Sequence, residues 1–590
     1  MKLTLGHVPR LMRTVRHLRS SQLWWRTRYL LERRWWWRLS ESGWRQHRAP
    51  AVKGARGPCP PLWYRPWPQA QELAAQLQQG LVTHLGKTVA VDPEHPDWLH
   101  AGDAAGRLWT VTWYYQGWVY ELTSAWAAGD TQAANILCRW LDDWLSSCGL
   151  SVCGPAHLMW NAYAVATRIG WWVRSLDLVE RRQLPLPGAL HRRWLDSLAS
   201  HVQYLSQHLE WDLRANHLLR DAVGLAWGGW FFQGRRARRW TELAREIVAT
   251  QLSEQVLADG GHFERSPMYH LIVMEDFLTL SVLIEDPVLQ QELRHTVQRM
   301  ADWARWLSHP DGHLVQFNDA ALEDSLRPST IWPHLHQQQL CVETSRPVGL
   351  KHFPHSGLVV WHDDVWSLFW DVGDVGPDYQ PGHAHADTLT LEVSFNGRRL
   401  IVDPGTYGYD LDARRQYDRS SAAHNTVTIA GHDSSEVWHI FRVGARARPL
   451  EVDVIPRRYG FTAWAAHTGY DALPGNPRHA RQISLEFEDG RSRVRIIDHI
   501  SGLEPLAAQG SWLLSPEWQV ETLADGWRLR SPAGQLQVRL QTQPTVQHTV
   551  VQSSWHPTFG VEVPTPRLVW KYRGAFPLQV ETCLEPIDIH

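Results

Sequence analysis

Between residues 108 and 307 apolar side chains recur every three to four positions in eight stretches: 108–127, 132–146, 157–176, 190–209, 215–232, 238–257, 268–284 and 288–307. That period puts them on one face of an α-helix. Short breakers separate the stretches: Ala128-Gly129-Asp130, Gly149 to Gly154, Pro185-Leu186-Pro187, Gly234, Asp259-Gly260-Gly261 and Asp286-Pro287. No strand pattern intrudes from 70 to 310, so this half reads as serial antiparallel helices forming an α/α toroid or solenoid.

From about residue 350 the texture changes. Leu358 to Trp361, Ser367 to Asp371, Thr388 to Phe395 and Arg399 to Val402 are short β-rich runs, and Asn396-Gly397 between the last two is a strong hairpin signal. Further runs at Val427–Ile429, Arg493–Ile497, Gln537–Leu540 and Leu568–Tyr572 extend the pattern. The fold class is therefore α+β multidomain, an N-terminal α/α toroid followed by an antiparallel β-sandwich. Three parts are expected: an arm and linker over 1–69, the helical domain over 70–345 and the sandwich over 346–590. Pro58, Pro60, Pro61, Pro66 and Pro68 mark the linker.

The arm stands apart by charge. Residues 1–56 carry fourteen Lys and Arg against Glu32 and Glu41, a balance of 14 − 2 = +12 in a 590-residue chain whose net charge is −2. Arg10, Arg13, Arg16 and Arg19 alternate with Leu11, Val15 and Leu18, and Trp24, Trp25, Tyr29, Trp35, Trp36 and Trp37 follow. Such a stretch suits either peripheral contact with an anionic membrane surface or a helix docked by its Trp face on the body. No polyanion bias extends over the whole chain, and no nucleic-acid partner is expected. There is no apolar run long enough to span a bilayer and no secretory-signal pattern, which favours a cytoplasmic or membrane-surface location. Six cysteines, none in a CxxC pair, indicate neither a disulfide framework nor a thiolate metal site. The 36 Trp offer flat faces for stacking on sugars, or large rings for helix cores; core filling is the commoner use.

Three segments hold candidate chemistry. Arg214-Ala215-Asn216-His217 opens a helix. Asp259-Gly260-Gly261-His262-Phe263-Glu264-Arg265-Ser266-Pro267-Met268-Tyr269-His270 leads from a Gly turn into another, with Ser266 placed to cap it and Pro267 in its first turn. Gly382-His383-Ala384-His385-Ala386-Asp387 precedes a strand, with Asp403 and His424 downstream. His-x-His with a later Asp and His supplies the ligand types zinc prefers. In an extended segment His383 and His385 share a face and meet one site; alternatively His385 binds metal while His383 faces a substrate. Read singly, Asn216 is equally a helix cap, Tyr269 a buried helix tyrosine and His383 a third ligand.

The ordered set "NH", "DGGHFERSPMYH", "GHAHAD", "VDPGTYGY" and "AHNTV" resembles the heparinase II/III family from about residue 100 to the C-terminus. The resemblance implies a toroid joined to an antiparallel β-sandwich, and a polysaccharide lyase that cleaves an acidic, uronate-containing glycan by β-elimination. Asn216 would neutralise the uronate carboxylate, as a donor facing developing charge. Tyr269 would protonate the leaving O4, and His383 or Tyr269 would take the C5 proton. An imidazole, with an ordinary pKa near 6.5, suits base work; a phenol near 10 is a credible acid. His385, Asp403 and His424 would bind a structural zinc that anchors the loop bearing His383. Relatives of this build accompany bacterial surface-polysaccharide synthesis, which points to an exopolysaccharide substrate. Two rivals stand: a glycoside hydrolase using carboxylates such as Glu264 with Asp212 or Asp319, and a non-catalytic glycan-binding or assembly factor.

Overall fold

The computed structural model describes residues 8–32, 48–61, 67–154, 157–322, 327–340, 342–488 and 490–587. Trp35, Trp36 and Trp37 of the arm lie outside them. The chain forms two compact units, each drawn from separate stretches. One comprises residues 19–255 with 273–297; the other comprises 1–18, 256–272 and 298–590.

The first unit is helical. Its principal helices are Thr131–Ser147, Ala162–Arg182, Gly188–Leu205, Ala215–Phe231 and Arg235–Gln255, close to the spans that the periodicity predicts. Asp130 caps the first through the backbone N–H groups of Gln132 and Ala133. The core is tryptophan. Trp98 stacks on Trp113 at 5.3 Å and on Trp118 at 5.6 Å, with Trp140 edge-on. Every one of the largest fully buried side chains, in both units, is a Trp, so the unusual Trp content is spent on packing. Helix Ala215–Phe231 sits especially close to its neighbours: a Cβ on Gly224 would lie 2.8 Å from the Cα of Ala166, and one on Gly228 would lie 2.6 Å from Val202. One expectation is corrected. A β-hairpin, Leu81–His84 with Lys87–Ala90, interrupts the predicted run of helices. Its cause is local: Leu85 and Gly86 both take positive φ in a two-residue turn, and β-branched Val82, Thr83, Thr88 and Val89 face each other across it.

The arm is partly docked on this unit. In helix Ser20–Leu31 the buried Gln22 donates to the Asp212 carbonyl at 3.1 Å, the Tyr29 hydroxyl donates to the Leu209 carbonyl, and Trp25 stacks on Trp211 at 6.3 Å.

The second unit is dominated by antiparallel sheets of five, eight and four strands. The five-stranded sheet runs Gly349–Phe353, Leu358–His362, Trp366–Asp371, Leu391–Phe395, Arg398–Ile401 in sequence order. Asn396 and Gly397, with φ of 46° and 81°, make the predicted hairpin. Side chains of this sheet, among them Val359, Trp366 and Trp370, share one core with Phe461, Ile483, Val494 and Trp527 of the eight-stranded sheet. The four-stranded sheet, ordered Gln547–Trp555, Val563–Gly574, Leu506–Leu513, Val427–Ile429, buries Trp570 and Ala508 in a second cluster.

Candidate functional site

In the helical unit Asn216 lies inside the first turn of helix Ala215–Phe231, and the cap position falls to Arg214. Asn216 therefore does not sit at the cap, and Arg214, which does, makes no side-chain cap hydrogen bond. Arg214 and Ala215 both adopt positive φ, 63° and 53°, a strained entry for side-chain-bearing residues. Glu254 holds the Arg214 guanidinium (Nε to Oε1 3.2 Å) and the Gln255 amide donates to the Ala215 carbonyl at 2.8 Å. Strain held by neighbours fixes the buried Asn216 at the helix entrance.

The sheet unit brings Tyr269 and His383 together. Ser266 caps helix Pro267–Leu283, its hydroxyl accepting from the Tyr269 N–H at 3.2 Å, as its sequence position predicts. The Tyr269 ring stacks on the His383 imidazole with centroids 3.7 Å apart. The Tyr269 hydroxyl is 3.3 Å from that of Tyr409, and Phe441 and Phe559 flank Tyr409 at 5.1 and 5.3 Å. His270 is structural: Nε2–H donates to the Met300 carbonyl at 2.9 Å, Nδ1 accepts from the His262 N–H, and burial pushes its pKa down to about 3.

Asp319 organises this cluster. One oxygen is 3.0 Å from His383 Nδ1 and the other 2.9 Å from His385 Nε2, while Arg415 donates to both. Burial opposes ionisation of Asp319, but the Arg415 guanidinium and the hydrogen bonds from both imidazoles outweigh it and hold the carboxyl well below the ordinary range. Asp319 accepts Nδ1–H from His383, which turns Nε2 to the other side of the ring. Glu264 Oε2 stands 3.5 Å from that Nε2. The loop itself is pinned: the Asn318 side chain accepts from the His385 N–H at 2.9 Å, and Arg419 donates to the Ala384 carbonyl at 2.9 Å. Asp319 enters the sequence reading only as a hydrolase carboxylate, and Arg415 and Tyr409 do not enter it as candidates. Tyr409 carries a signal, since it lies inside "VDPGTYGY"; Asp319 and Arg415 sit in segments without a pattern.

His385, Asp403 and His424 converge. His385 Nδ1 is 3.2 Å from His424 Nε2, which is 3.6 Å from Asp403 Oδ2. Among the described residues no group of three or more His, Cys, Asp or Glu is arranged so that it could hold a metal ion, although the two separations, 3.2 and 3.6 Å, are near those between zinc ligands. A tetrahedral zinc with bonds of about 2.05 Å separates its ligands by roughly 3.3 Å. Each imidazole spends its other nitrogen on an acceptor, His385 on Asp319 and His424 on the Ser420 carbonyl at 2.7 Å. That arrangement turns two lone pairs toward each other and toward Asp403 Oδ2, a buried atom with no hydrogen-bond partner among the described residues. Carboxylate and carbonyl partners behind the imidazoles are the supports that metal-ligating histidines usually have.

Residues 80–335 match the heparinase II/III N-terminus and residues 345–582 the heparinase II/III-like C-terminal domain. A heparin-sulfate lyase of Bacteroides stercoris is 29% identical over 303 residues, which cover 46% of this chain and 44% of the lyase, so the match spans less than half of that relative's length. FtsZ-localized protein C of Caulobacter vibrioides is 24% identical over 76% of this chain and 78% of its own. A crystal structure of heparinase III superposes with a TM-score of 0.73 over 96% of this chain and 92% of that one at 16% identity, which establishes the toroid-plus-sandwich fold. With both family domains matched in order, the chain belongs to the heparinase II/III family.

Proposed function

We propose that the protein is a polysaccharide lyase acting on a uronate-containing glycan by β-elimination. The observation that carries this reading is the Tyr269–His383 stack, with the imidazole held by Asp319. In the reaction His383 Nε2 takes the C5 proton, and the new N–H faces Glu264. Tyr269 donates its phenolic proton to O4 as the C4–O4 bond breaks, leaving a C4–C5 double bond. By the family resemblance Asn216 would neutralise the uronate carboxylate and so stabilise the enolate-like intermediate. Family membership supports the substrate class, and a bacterial surface exopolysaccharide is the form of it we favour. The test is a panel of uronate polymers followed by ultraviolet absorbance, which rises only when an unsaturated product forms. A hydrolase that pairs Glu264 with Asp319 is disfavoured because both Asp319 oxygens are taken by Arg415 and two histidines, which leaves none to meet a sugar or a water. A second reading, binding without turnover, stands because a relative aligned over most of both chains, FtsZ-localized protein C, does not carry a lyase's name. Retained glycan binding with no unsaturated product would establish it.

His385, Asp403 and His424 would hold a structural zinc whose contribution is to fix the His383 loop. Protein purified without chelator is expected to carry stoichiometric zinc by elemental analysis, and His424→Ala to lose it; a metal-free wild type removes the assignment.

The docked helix Ser20–Leu31 turns a second apolar face outward, with Trp24 57% and Leu30 68% exposed beside Leu23 and Leu31. Among the described residues no helix is long and apolar enough to cross a membrane, and this face with its arginines fits the surface of an anionic one. Trp24→Ala with Leu30→Ala is expected to weaken sedimentation with phosphatidylserine vesicles. Point changes are the right probe, since deleting the arm would also strip the buried Gln22 and Arg56 contacts. Unchanged sedimentation would count against the membrane role.

A further inference from the structure

The outer face of the four-stranded sheet carries a cleft of about 540 Å³ with polar and basic side chains in its lining. It shares no residue with the Tyr269–His383–Asp319 cluster. Cross-strand register aligns Thr428 with Gln509, Gln509 with Lys571, and Lys571 with Gln547, so one polar row crosses all four strands. Registered partners on antiparallel strands project to the same face. Alternate residues Ala508 and Trp570 point into the core, which sends this row outward. The next row along pairs Ala507 with Arg573, a small residue that keeps the cleft open beside a second cation.

The charges here are arranged unlike those on the neighbouring eight-stranded sheet. There Arg493 pairs with Glu486, Arg495 with Glu581, Arg528 with Glu521 and Arg539 with Glu585, all at 2.7–3.2 Å. The side chains of Lys571 and Arg573 form no ion pair or hydrogen bond with any described residue, and none of the cleft's lining residues is acidic. Two unneutralised cations in a concave surface, flanked by two amides and a hydroxyl, present donors for an oxyanion and for sugar hydroxyls together. We propose that this row is an accessory binding site for an anionic oligosaccharide, its carboxylate or sulfate groups meeting Lys571 and Arg573 and its hydroxyls meeting Gln509 and Gln547. The choice of a glycan over another polyanion rests on the lyase reading. A site of this kind would hold a long polymer on the enzyme between turnovers, because a second contact raises the effective concentration at the first.

The test is calorimetry on the full chain carrying Tyr269→Phe, titrated separately with a heparan sulfate tetrasaccharide, an alginate tetrasaccharide and polyphosphate at low salt. Adding Lys571→Ala and Arg573→Ala is expected to reduce the number of uronate tetrasaccharides bound per chain by one, with the thermal midpoint unchanged. Gln509→Ala is expected to weaken that same site, and added salt to weaken it further. The count falls by one whether or not the Tyr269 site itself binds sugar, so failure of the lyase reading and failure of this proposal give different results. An unchanged count and affinity would overturn it, as would binding of polyphosphate alone with neither tetrasaccharide.

Discussion

Tyr269→Phe is expected to lower turnover of a uronate polymer by about 10²-fold or more, the usual contribution of a positioned general acid, while the glycan still binds. The substitution deletes one oxygen. The ring that packs on His383 at 3.7 Å stays, so the imidazole keeps its orientation and its hydrogen bond to Asp319. What disappears is the proton donor for O4 and its contact with Tyr409 at 3.3 Å. His383→Ala is expected to have an effect of similar size through loss of the C5 base. Because both groups serve one transition state, Tyr269→Phe combined with His383→Ala should be little worse than either change alone. Initial rates from the absorbance of the unsaturated product, with KM and kcat separated, check this. Near-normal kcat in Tyr269→Phe on the true substrate would end the mechanism, and multiplicative losses in the double variant would end the idea that the two act together.

Asp319→Ala is expected to be the most damaging single change to the sheet unit, costing about 3–5 kcal/mol, the range for removing one member of a buried ion pair. The loss does not come from the pair's attraction alone. It strands the fully buried Arg415 guanidinium, and it frees His383 Nδ1 and His385 Nε2 from their common acceptor. Asp319→Asn keeps the shape but cancels the charge, so it should fall between the wild type and Asp319→Ala. Two units make a single unfolding free energy ill-defined, so the quantity to follow is the denaturant midpoint of the sheet unit's transition, read from probes in that unit. A midpoint for Asp319→Ala within error of the wild type would show that Asp319 is not the hub its geometry describes.

Much of this is legible in the sequence itself. The 3.6-residue period marks most of the long helices, although 157–176 is observed as Ala162–Arg182 and 108–127 as two helices, Arg107–Tyr115 and Gly117–Ala127, broken at Gln116 with φ 59°. Asn396-Gly397 announced its hairpin, since few other dipeptides take two positive φ values cheaply. Ser266 and Pro267 marked a helix start, and the motifs named Tyr269 and His383, which the structure stacks on each other. Other features were not legible. The hairpin at 81–90 is four residues a side, too short to outweigh a helical neighbourhood in a pattern count. Asp319 and Arg415 have no periodic or motif context; they matter only because chain segments far apart in sequence place them against the two histidines. The lone pairs turned toward Asp403 also depend on what lies behind each imidazole, the Asp319 carboxylate and the Ser420 carbonyl, and no spacing rule encodes that.

The interleaving of the two compact units bears on how the protein is made. Synthesis runs from the N-terminus, and units generally fold once their sequence has emerged. The helical unit has all its segments by residue 297, whereas the sheet unit, which owns 256–272, waits for strands that extend to Ile587. Tyr269 therefore leaves the ribosome 383 − 269 = 114 residues before the histidine on which it stacks. A premature stop after residue 297 and before residue 383 would leave every segment of the helical unit and a phenol without its partner. Such a truncated product would be folded enough to persist and would have no chemistry.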